Sequence, residues 1–416
     1  MMMHKFAKRK QRGQILIIIV IAMVGIVGIA GLVIDGGSTY LDRRSAQNAA
    51  DSAALAGAII RVNSPDQDWV GAVISSAAEN GYNNDGVKNT VEVYSPPQSG
   101  PYAKNVEYAQ VIITSHVRMY FANVIGRSES INVVEAVVRT KAAELRPLMG
   151  EAALVSLTPT SECNKERAFW VYEEGTFEVI GGSVFINSDN PTCALIQEAS
   201  GSIYMRYNDP ITVVGGVMLH NSRRISPVVK VGATQVSYPP PFIMPDIKCK
   251  QQATIKEDGE TMTPGTWGGL FPPVNVKRLE PGVYCLENGF ITTKDTDLTG
   301  SSVVIVVKKG EVTITKNAKV RLTAPSDGPY AGLLLFLPME NDKRVSLDAN
   351  FNSEFRGTIL APASNILFKG SDMQHGYHSQ IIGFRIALSG DENIIIQYNP
   401  DENYHALSNS EIQLIR

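Results

Sequence analysis

The 416-residue sequence lacks the short motifs that mark the most common enzyme and metal sites. None of its four cysteines belongs to a Cys-x-x-Cys pair, so zinc and thiol redox motifs have no support. It contains no Gly-x-Ser-x-Gly element and no glycine-rich phosphate loop before a helix, which removes the usual signatures of serine hydrolases and nucleotide-binding proteins. The sequence therefore predicts a protein that is not an enzyme and that binds no cofactor.

Charge is also scarce, and it carries a negative excess. Charged residues make up only 19% of the chain, and the net charge is −3. Five of the 38 basic residues lie in residues 1–14, so the remainder has 33 basic against 41 acidic residues. A surface of that sign gives no electrostatic reason to bind nucleic acid, whose phosphates are neutralised by Lys and Arg. Nucleic acid is therefore not an expected partner.

One long apolar run is present, because residues 15–34 contain no charge. Its length matches the ~20 residues with which a helix crosses a hydrocarbon core about 30 Å thick. Residues 1–14 hold five Lys or Arg and no acid, and such positive flanks stay in the cytoplasm. The sequence predicts a single-pass membrane protein with a cytoplasmic N-terminus and the bulk of the chain outside the cytoplasm.

Two processed N-termini compete with a retained membrane anchor. A signal peptide has a shorter apolar region, of about 7–15 residues, and ends in a small-x-small site, whereas this run is followed by Asp35. A type IV prepilin is cut after a glycine and carries Glu at the fifth mature position. Gly13 fits the cleavage position, but the fifth residue after it is Ile18, so the anchor is expected to be kept.

Small residues recur within the apolar run. Gly25, Gly28 and Gly31 are spaced by three, and small residues in a lipid-embedded helix let the backbone of a partner helix come close. Ordinary glycine usage in membrane spans is the alternative. The spacing predicts helix packing against a membrane partner through these three positions.

Residues 35–145 have the mixed pattern of a small α+β domain. Polar residues recur at steps of three and four over residues 38–60, and alanines fill the opposite face, which predicts an amphipathic helix that packs closely. This helix could continue the span outward, although Gly36-Gly37 offers a place to bend. A short helix over 66–80 and strands over 90–94, 108–117 and 130–141 follow. In the last strand, Ile131, Val133, Ala136 and Val138 form the apolar alternation.

Beyond a boundary near residues 146–150, short β segments recur between Gly, Asn, Asp and Pro residues up to residue 416. Such stacked rungs favour a right-handed β-solenoid, and a jelly roll or sandwich is the alternative. The solenoid is preferred because apolar runs such as residues 303–307 are nearly continuous. Residues 238–282 are too rich in proline to lie inside β ladders, and they predict a long excursion from the rungs.

The four cysteines all fall outside the membrane in this topology, where disulfides persist. They allow three pairings. The pairing of Cys163 with Cys193 and of Cys249 with Cys285 is favoured, because each bond closes a short loop within one stretch. The second bond would also strap down the proline-rich excursion.

The N-terminal segment resembles the TadE/TadG-like proteins of tight-adherence (Flp) pilus assembly. That family begins with an Arg-Gly-Gln-type start, an apolar span, an Asp near its end, and an Ala-rich helix. The residues that carry the resemblance are Gly13, Gln14, Asp35, Gln47, Asn48, Ala50, Asp51, Leu55 and Gly57. Residues 121–126, followed by 131–133, are similar to the family's next element, so the resemblance covers residues 12 to about 140.

The resemblance implies a membrane-anchored structural or assembly component of a Flp-type pilus or of a related adhesion system. Its implied partners are the membrane and pilus or secretion-system components, with a surface glycan as a further candidate. Two alternatives remain open. One is a membrane-anchored β-solenoid enzyme that acts on carbohydrate, and the other is an adhesin unconnected to a pilus.

Few side chains suggest chemistry. His375 and His378, with Asp372 nearby, have a spacing that could hold a metal, but a polar turn between rungs explains them better. Asp295, Asp297 and Asp372 are the acids that a carbohydrate-active enzyme would draw on. The basic residues Lys308, Lys309, Lys316, Lys319 and Arg321 are interpreted as a solvated face rather than an anion site.

Overall fold

The computed structural model describes residues 14–348, 352–369, 376–390 and 393–415. The chain forms two compact units, one made of Met1–Ala143 with Ser410–Arg416 and the other of Glu144–Asn409. Gly13, Asp372 and His375, which entered the sequence analysis, lie outside the described residues.

The first unit is built on one helix, α1 (Gln14–Asn63), of 50 residues. At 1.5 Å per residue this helix is about 75 Å long. It is long and apolar enough to cross a membrane, and its apolar part is almost entirely exposed. The helix continues without interruption through Gly36 and Gly37, because glycine weakens a helix without removing the backbone hydrogen bonds that a proline would remove.

One further helix and a four-stranded antiparallel sheet complete the first unit. The elements are α2 (Trp69–Glu79), β1 (Asn89–Tyr94), β2 (Tyr108–Arg118), a 3-10 helix (Ala122–Ile125), β3 (Glu129–Lys141) and β31 (Glu411–Ile415). The strand order is β1-β2-β3-β31. Residues 411–415, which the sequence analysis placed in the β-rich region, therefore pair with β3 instead. Their apolar residues Ile412 and Leu414 pack against the core of this unit, and that contact draws the strand away from the second unit.

The core of the first unit lies between the alanine face of α1 and the sheet. Six alanines of the helix are buried against it: Ala46, Ala49, Ala50, Ala53, Ala54 and Ala58. They meet Val111 and Ile113 of β2 and Val138 of β3. Because a methyl group is all that separates the helix backbone from these strands, the helix can approach the sheet closely, as the sequence pattern predicted.

The second unit is mainly β, and nearly all of its strand pairs are parallel. Its entry and exit strands, β4 (Leu145–Pro147) and β30 (His405–Leu407), form an antiparallel pair. A first stack contains β5 (Ala152–Ser156), β6 (Phe169–Val171), β7 (Thr176–Ile180), β8 (Ser183–Ile186), β9 (Leu195–Gln197), β10 (Ser202–Met205), β11 (Ile211–Val213), β12 (Val217–Leu219) and β13 (Ile225–Ser226). Each group of three strands pairs in parallel with the next group. This arrangement differs from the antiparallel strands of a jelly roll.

A second stack continues in the same way. It contains β14 (Thr261–Met262), β15 (Gly265–Trp267), β16 (Arg278–Leu279), β17 (Gly282–Leu286), β18 (Phe290–Ile291), β19 (Asp297–Gly300), β20 (Val303–Val307), β21 (Val312–Ile314), β22 (Lys319–Thr323), β23 (Leu333–Phe336), β24 (Val345–Leu347), β25 (Glu354–Arg356), β26 (Thr358–Lys369), β27 (Tyr377–His378), β28 (Ile381–Ser389) and β29 (Asn393–Gln397). Short 3-10 helices also occur at Ser222–Arg224 and Pro400–Glu402.

The two stacks join in an order that differs from the order of the sequence. β28 pairs in parallel with β5 and β6, and β29 pairs with β7, so the last strands of the second stack adjoin the first strands of the first. β13 and β14 consequently lie at opposite edges of the ten-stranded sheet. Residues 227–260 connect these two edges. The chain therefore enters and leaves this unit in the middle of its sheets.

The continuous apolar run of residues 303–307 is buried on both faces of β20. Val303 and Ile305 belong to the interior core between the sheets. Val304 and Val306 lie in a separate cluster with Ile247 from the connecting segment. A strand covered on both faces needs apolar residues at every position, which explains why this run does not alternate.

Both disulfides that the sequence analysis favoured are formed. Cys163 bonds Cys193, and Cys249 of the connecting segment bonds Cys285 of β17. The second bond ties the connecting segment to the sheet, as expected. The interruption is shorter than the predicted range of 238–282, because strands resume at Thr261. The prolines in residues 261–282 lie between strands, where a missing N–H breaks no ladder.

Candidate functional site: the motif face of the long helix

Asp35 holds a loop of the sheet against the helix just beyond the apolar run. Its carboxylate accepts backbone N–H bonds from Tyr120 (3.0 Å), Phe121 (2.9 Å) and Ala122 (2.7 Å). Asp35 is only 3% exposed. The hydrogen bond from Ala122 leads the causes that hold the pKa of Asp35 below its ordinary value, while burial acts in the opposite direction. The carboxylate thus satisfies the free N–H groups at the start of the 3-10 helix.

Gly31, one turn before Asp35, accommodates the same loop. A methyl group at Gly31 would come within 2.7 Å of Phe121 Cβ, so only glycine leaves room for this side chain. Gly25 and Gly28, in contrast, have no neighbour within 4 Å in the described part of the chain. The predicted row of three glycines is therefore divided, because Gly31 packs within its own chain.

Asp42 is the most connected polar residue between α1 and the sheet. Its carboxylate accepts hydrogen bonds from Tyr82 Oη (3.2 Å), Ser115 Oγ (3.0 Å) and Asn132 Nδ2 (2.7 Å). The three donor residues are at most 6% exposed. Burial, followed by the Asp42 carboxylate, raises the pKa of Tyr82, which keeps its hydroxyl a donor.

The sequence analysis assigned the wrong face to one end of β3. Ile131 and Val133 are each 55% exposed, whereas Asn132 and Val134 point into the unit. The apolar alternation suggested the opposite phase because a buried asparagine looks like a surface residue. Asn132 is tolerated inside because it donates to both Asp42 Oδ2 and the backbone oxygen of Thr39.

Gln47 and Asp51 connect the motif to the middle of β3. Gln47 Nε2 donates to Asp51 Oδ1 (2.9 Å) one helical turn away and to the backbone oxygen of Glu135 (2.9 Å). The Glu135 carboxylate in turn accepts from Gln110 Nε2 at 2.8 Å. These bonds set the position of the helix along the strand.

The apolar motif residues pack against the second helix and the sheet. Ala50 is fully buried, and Leu55 packs on the same core. Gly57 faces α2, where an added methyl group would come within 2.3 Å of Val73 Cγ2 and 3.2 Å of the backbone oxygen of Trp69. The motif thus specifies close contact of α1 with the rest of its unit.

An open cleft of about 690 Å³ lies beside the motif. Gln47, Asn48 and Asp51 line one side of it. The other lining residues are Pro101, Tyr102, Glu135, Val137 and Ile415. Asn48 is exposed there and completes the placement of the motif residues on the helix, except for Gly13 and the side chain of Gln14, which lie outside the described part of the structure.

The side chains weighed for chemistry in the second unit do not converge on a site. Asp297 forms an ion pair with Arg321 (2.8 Å), and Lys308 forms one with Glu287 (3.2 Å). Asp295 is exposed. Within the described ranges, no group of three or more His, Cys, Asp or Glu residues is arranged to hold a metal ion.

Replacing Asp35 with asparagine is expected to loosen the loop at residues 119–128 without unfolding the sheet. An amide oxygen is a weaker acceptor than a carboxylate and cannot serve all three N–H donors equally. Amide hydrogen exchange of a peptide covering residues 118–127 should speed up, while a peptide from 108–117 stays protected.

The same loop should respond to pH in a defined direction. Because the pKa of Asp35 is lowered in the folded state, the stabilisation is present above the usual Asp pKa of about 3.9 and is lost only as the pH falls through the lower folded value. Faster exchange of the loop already at neutral pH in the wild-type protein would contradict this assignment.

Comparison with known proteins gives one match. Residues 13–59 match the family described as putative Flp pilus-assembly TadE/G-like, in agreement with the resemblance noted from the sequence. The matched segment covers almost all of α1, including every motif residue discussed above. No curated protein and no solved structure matches the chain. The match supports a role related to pilus assembly.

Proposed function

We propose that this protein is a membrane-anchored structural or assembly component of a tight-adherence (Flp-type) pilus at the cell surface. The observation that carries the proposal is that residues 13–59 match the pilus-assembly family and form, from Gln14 onward, one continuous helix. That helix contains both an apolar stretch suited to a membrane and the motif that packs on the first unit. The family match makes pilus components the expected partners.

In this proposal the protein crosses the membrane once. Residues 1–14 are cytoplasmic, residues 15–34 span the bilayer, and the two compact units are extracytoplasmic. The positive flank and the two disulfides support this orientation, because disulfides persist outside the cytoplasm. Gly25 and Gly28 remain available to a partner helix in the membrane.

The second unit is proposed to be a right-handed β-solenoid that serves display or attachment rather than catalysis. Parallel strands joined by crossovers are right-handed in about 98% of cases, which supports the hand. The pairing of Asp297 with Arg321 supports a non-enzymatic surface. A surface glycan is a candidate ligand for this unit.

Protease added to intact spheroplasts is expected to digest the chain beyond residue 35 and to spare an epitope tag at the basic N-terminus. The physical reason is the retention of positive flanks in the cytoplasm. A cytoplasmic marker protein serves as the control. Protection of both units would overturn the topology.

Deletion of the gene should also abolish or strongly reduce surface pili seen by electron microscopy, and the full chain should restore them. Normal pili together with lost surface attachment would indicate an adhesin unconnected to a pilus. Release of reducing sugar from a polysaccharide by the purified protein would indicate a carbohydrate-active enzyme.

A further inference from the structure

The loop between β2 and β3, residues 119–128, exposes a cluster of large apolar side chains. Tyr120 is 68% exposed, Phe121 42%, Val124 89% and Ile125 75%. Four such residues within six positions leave a contiguous apolar surface on a short, well-anchored segment. Single exposed apolar residues are ordinary, but a cluster of this kind marks a contact surface.

The contacts of this loop fix its position along α1. Asp35 accepts three of its backbone N–H groups, and Phe121 lies against Gly31. Gly31 belongs to the apolar run, three residues before its last member, Ile34. At 1.5 Å per residue, Gly31 therefore lies about 4.5 Å inside the end of that run. Phe121 is held at the level of the last turn of the membrane span.

Charges at the base of the loop fit the polar side of a bilayer. Arg118 and Arg127 are both exposed at its two ends. The Arg118 guanidinium lies 5.6 Å from the centre of the Tyr120 ring. The nearby acid Glu129 faces His116 at 3.4 Å. Basic side chains beside aromatic and aliphatic ones are typical of segments that lie in the membrane interface, with the basic groups near lipid phosphates.

We propose that residues 119–128 insert into the extracytoplasmic leaflet of the membrane as a second contact beside the spanning helix. Val124, Ile125 and Phe121 enter the acyl boundary, Tyr120 lies at the headgroup level, and Arg118 and Arg127 contact lipid phosphates. The occupant of this surface is lipid because the loop is continuous with the membrane-spanning surface of α1. This inference rests on the proposed membrane anchoring and adds to it a fixed depth and rotation for the helix.

The test uses the full chain in liposomes of phosphatidylcholine and phosphatidylglycerol, with an environment-sensitive fluorophore on a single introduced cysteine. The variant is Val124→Cys. The matched control is Val106→Cys, because Val106 is also a valine and is 69% exposed. Its backbone oxygen accepts from Arg61, which is 26 residues beyond Asp35 on α1, about 39 Å away along the helix. Ile26→Cys reports on the span itself.

Lipids with a spin label near the headgroup are expected to quench the Val124 label by about half or more, and to leave the Val106 label unchanged. Aqueous iodide should show the reverse pattern. The double variant with Val124→Cys and Ile125→Asp should lose much of the lipid quenching, because the charge keeps the loop in water.

The controls separate this inference from the proposed function. Quenching at Ile26 without quenching at Val124 would overturn the lipid contact while leaving the anchor in place. Absence of quenching at both sites would overturn the anchor itself. Iodide accessibility at Val124 that falls only when a second copy or a pilus protein is added would assign this surface to a protein partner and would also overturn the proposal.

Discussion

Replacing Asp42 with alanine is expected to lower the opening free energy of the first unit by at least about 3 kcal/mol, since three buried donors lose their acceptor and each costs about 1–3 kcal/mol. Tyr82, Ser115 and Asn132 come from three different segments, so no single rearrangement can supply them all with new acceptors. Native-state hydrogen exchange of peptides from residues 108–141 measures this quantity for the first unit alone.

Asp51→Ala is the matched control for that experiment. Asp51 lies on the same helix and accepts one described hydrogen bond, from the partly exposed Gln47. Water can replace this bond, so a loss of no more than about 1 kcal/mol is expected. A change of less than about 1 kcal/mol for Asp42→Ala as well would refute the role assigned to Asp42 as the polar connection between helix and sheet.

Replacing Gly57 with alanine is expected to destabilise the first unit by about 1–3 kcal/mol, and leucine by more, because the added atoms collide with Val73 and with the backbone at Trp69. The helices α1 and α2 would have to move apart, which also exposes Ala58 and Ala77 of the shared core. Hydrogen exchange of peptides from α2 should therefore rise first. Trp69 fluorescence should shift towards that of a water-exposed indole.

Gly36→Ala gives the opposite expectation with the same chemical change. Gly36 lies in the same helix, and no atom is within 4 Å of an added methyl group. Alanine is favoured over glycine in a helix by about 0.5–1 kcal/mol, so this variant should be slightly more stable. Destabilisation by both variants would indicate that α1 bends at Gly36, rather than that Gly57 is a packing position.

The motif residues are explained by packing rather than by chemistry. Asp35 and Gly31 hold one loop, Gln47 fixes the position along β3, and Gly57 admits α2. Each of these interactions ties the helix to the unit that follows the apolar run. A protein whose proposed role is to support or assemble a surface structure needs such a rigid connection, because movement of the anchor would otherwise not be transmitted.

The second unit enters and leaves through the adjacent strands β4 and β30. Its residues, 144–409, are thereby inserted in the chain between β3 and β31. Neighbouring entry and exit points are the usual condition under which a domain can be inserted into another without disturbing it. The stacked strands can then vary in number or surface while the sheet of the first unit stays complete.

The sequence by itself determined the features that depend on local pattern. The uncharged run of residues 15–34, the alanine face of α1 and the recurrence of short β segments follow from composition and periodicity. The pairing of Cys249 with Cys285 was also accessible, since it closes a short loop. Each of these features is encoded within a few tens of residues.

Only the tertiary structure decided which distant segments meet. β28 pairs with β5, although Gly383 and Ser156 are more than 200 residues apart, and β31 returns to β3. Parallel and antiparallel strands offer the same backbone groups to any neighbour, so the partner is chosen by the burial of both faces, which no local pattern records. The same reason explains why Asn132 points inward and why Gly31 contacts Phe121 instead of another helix.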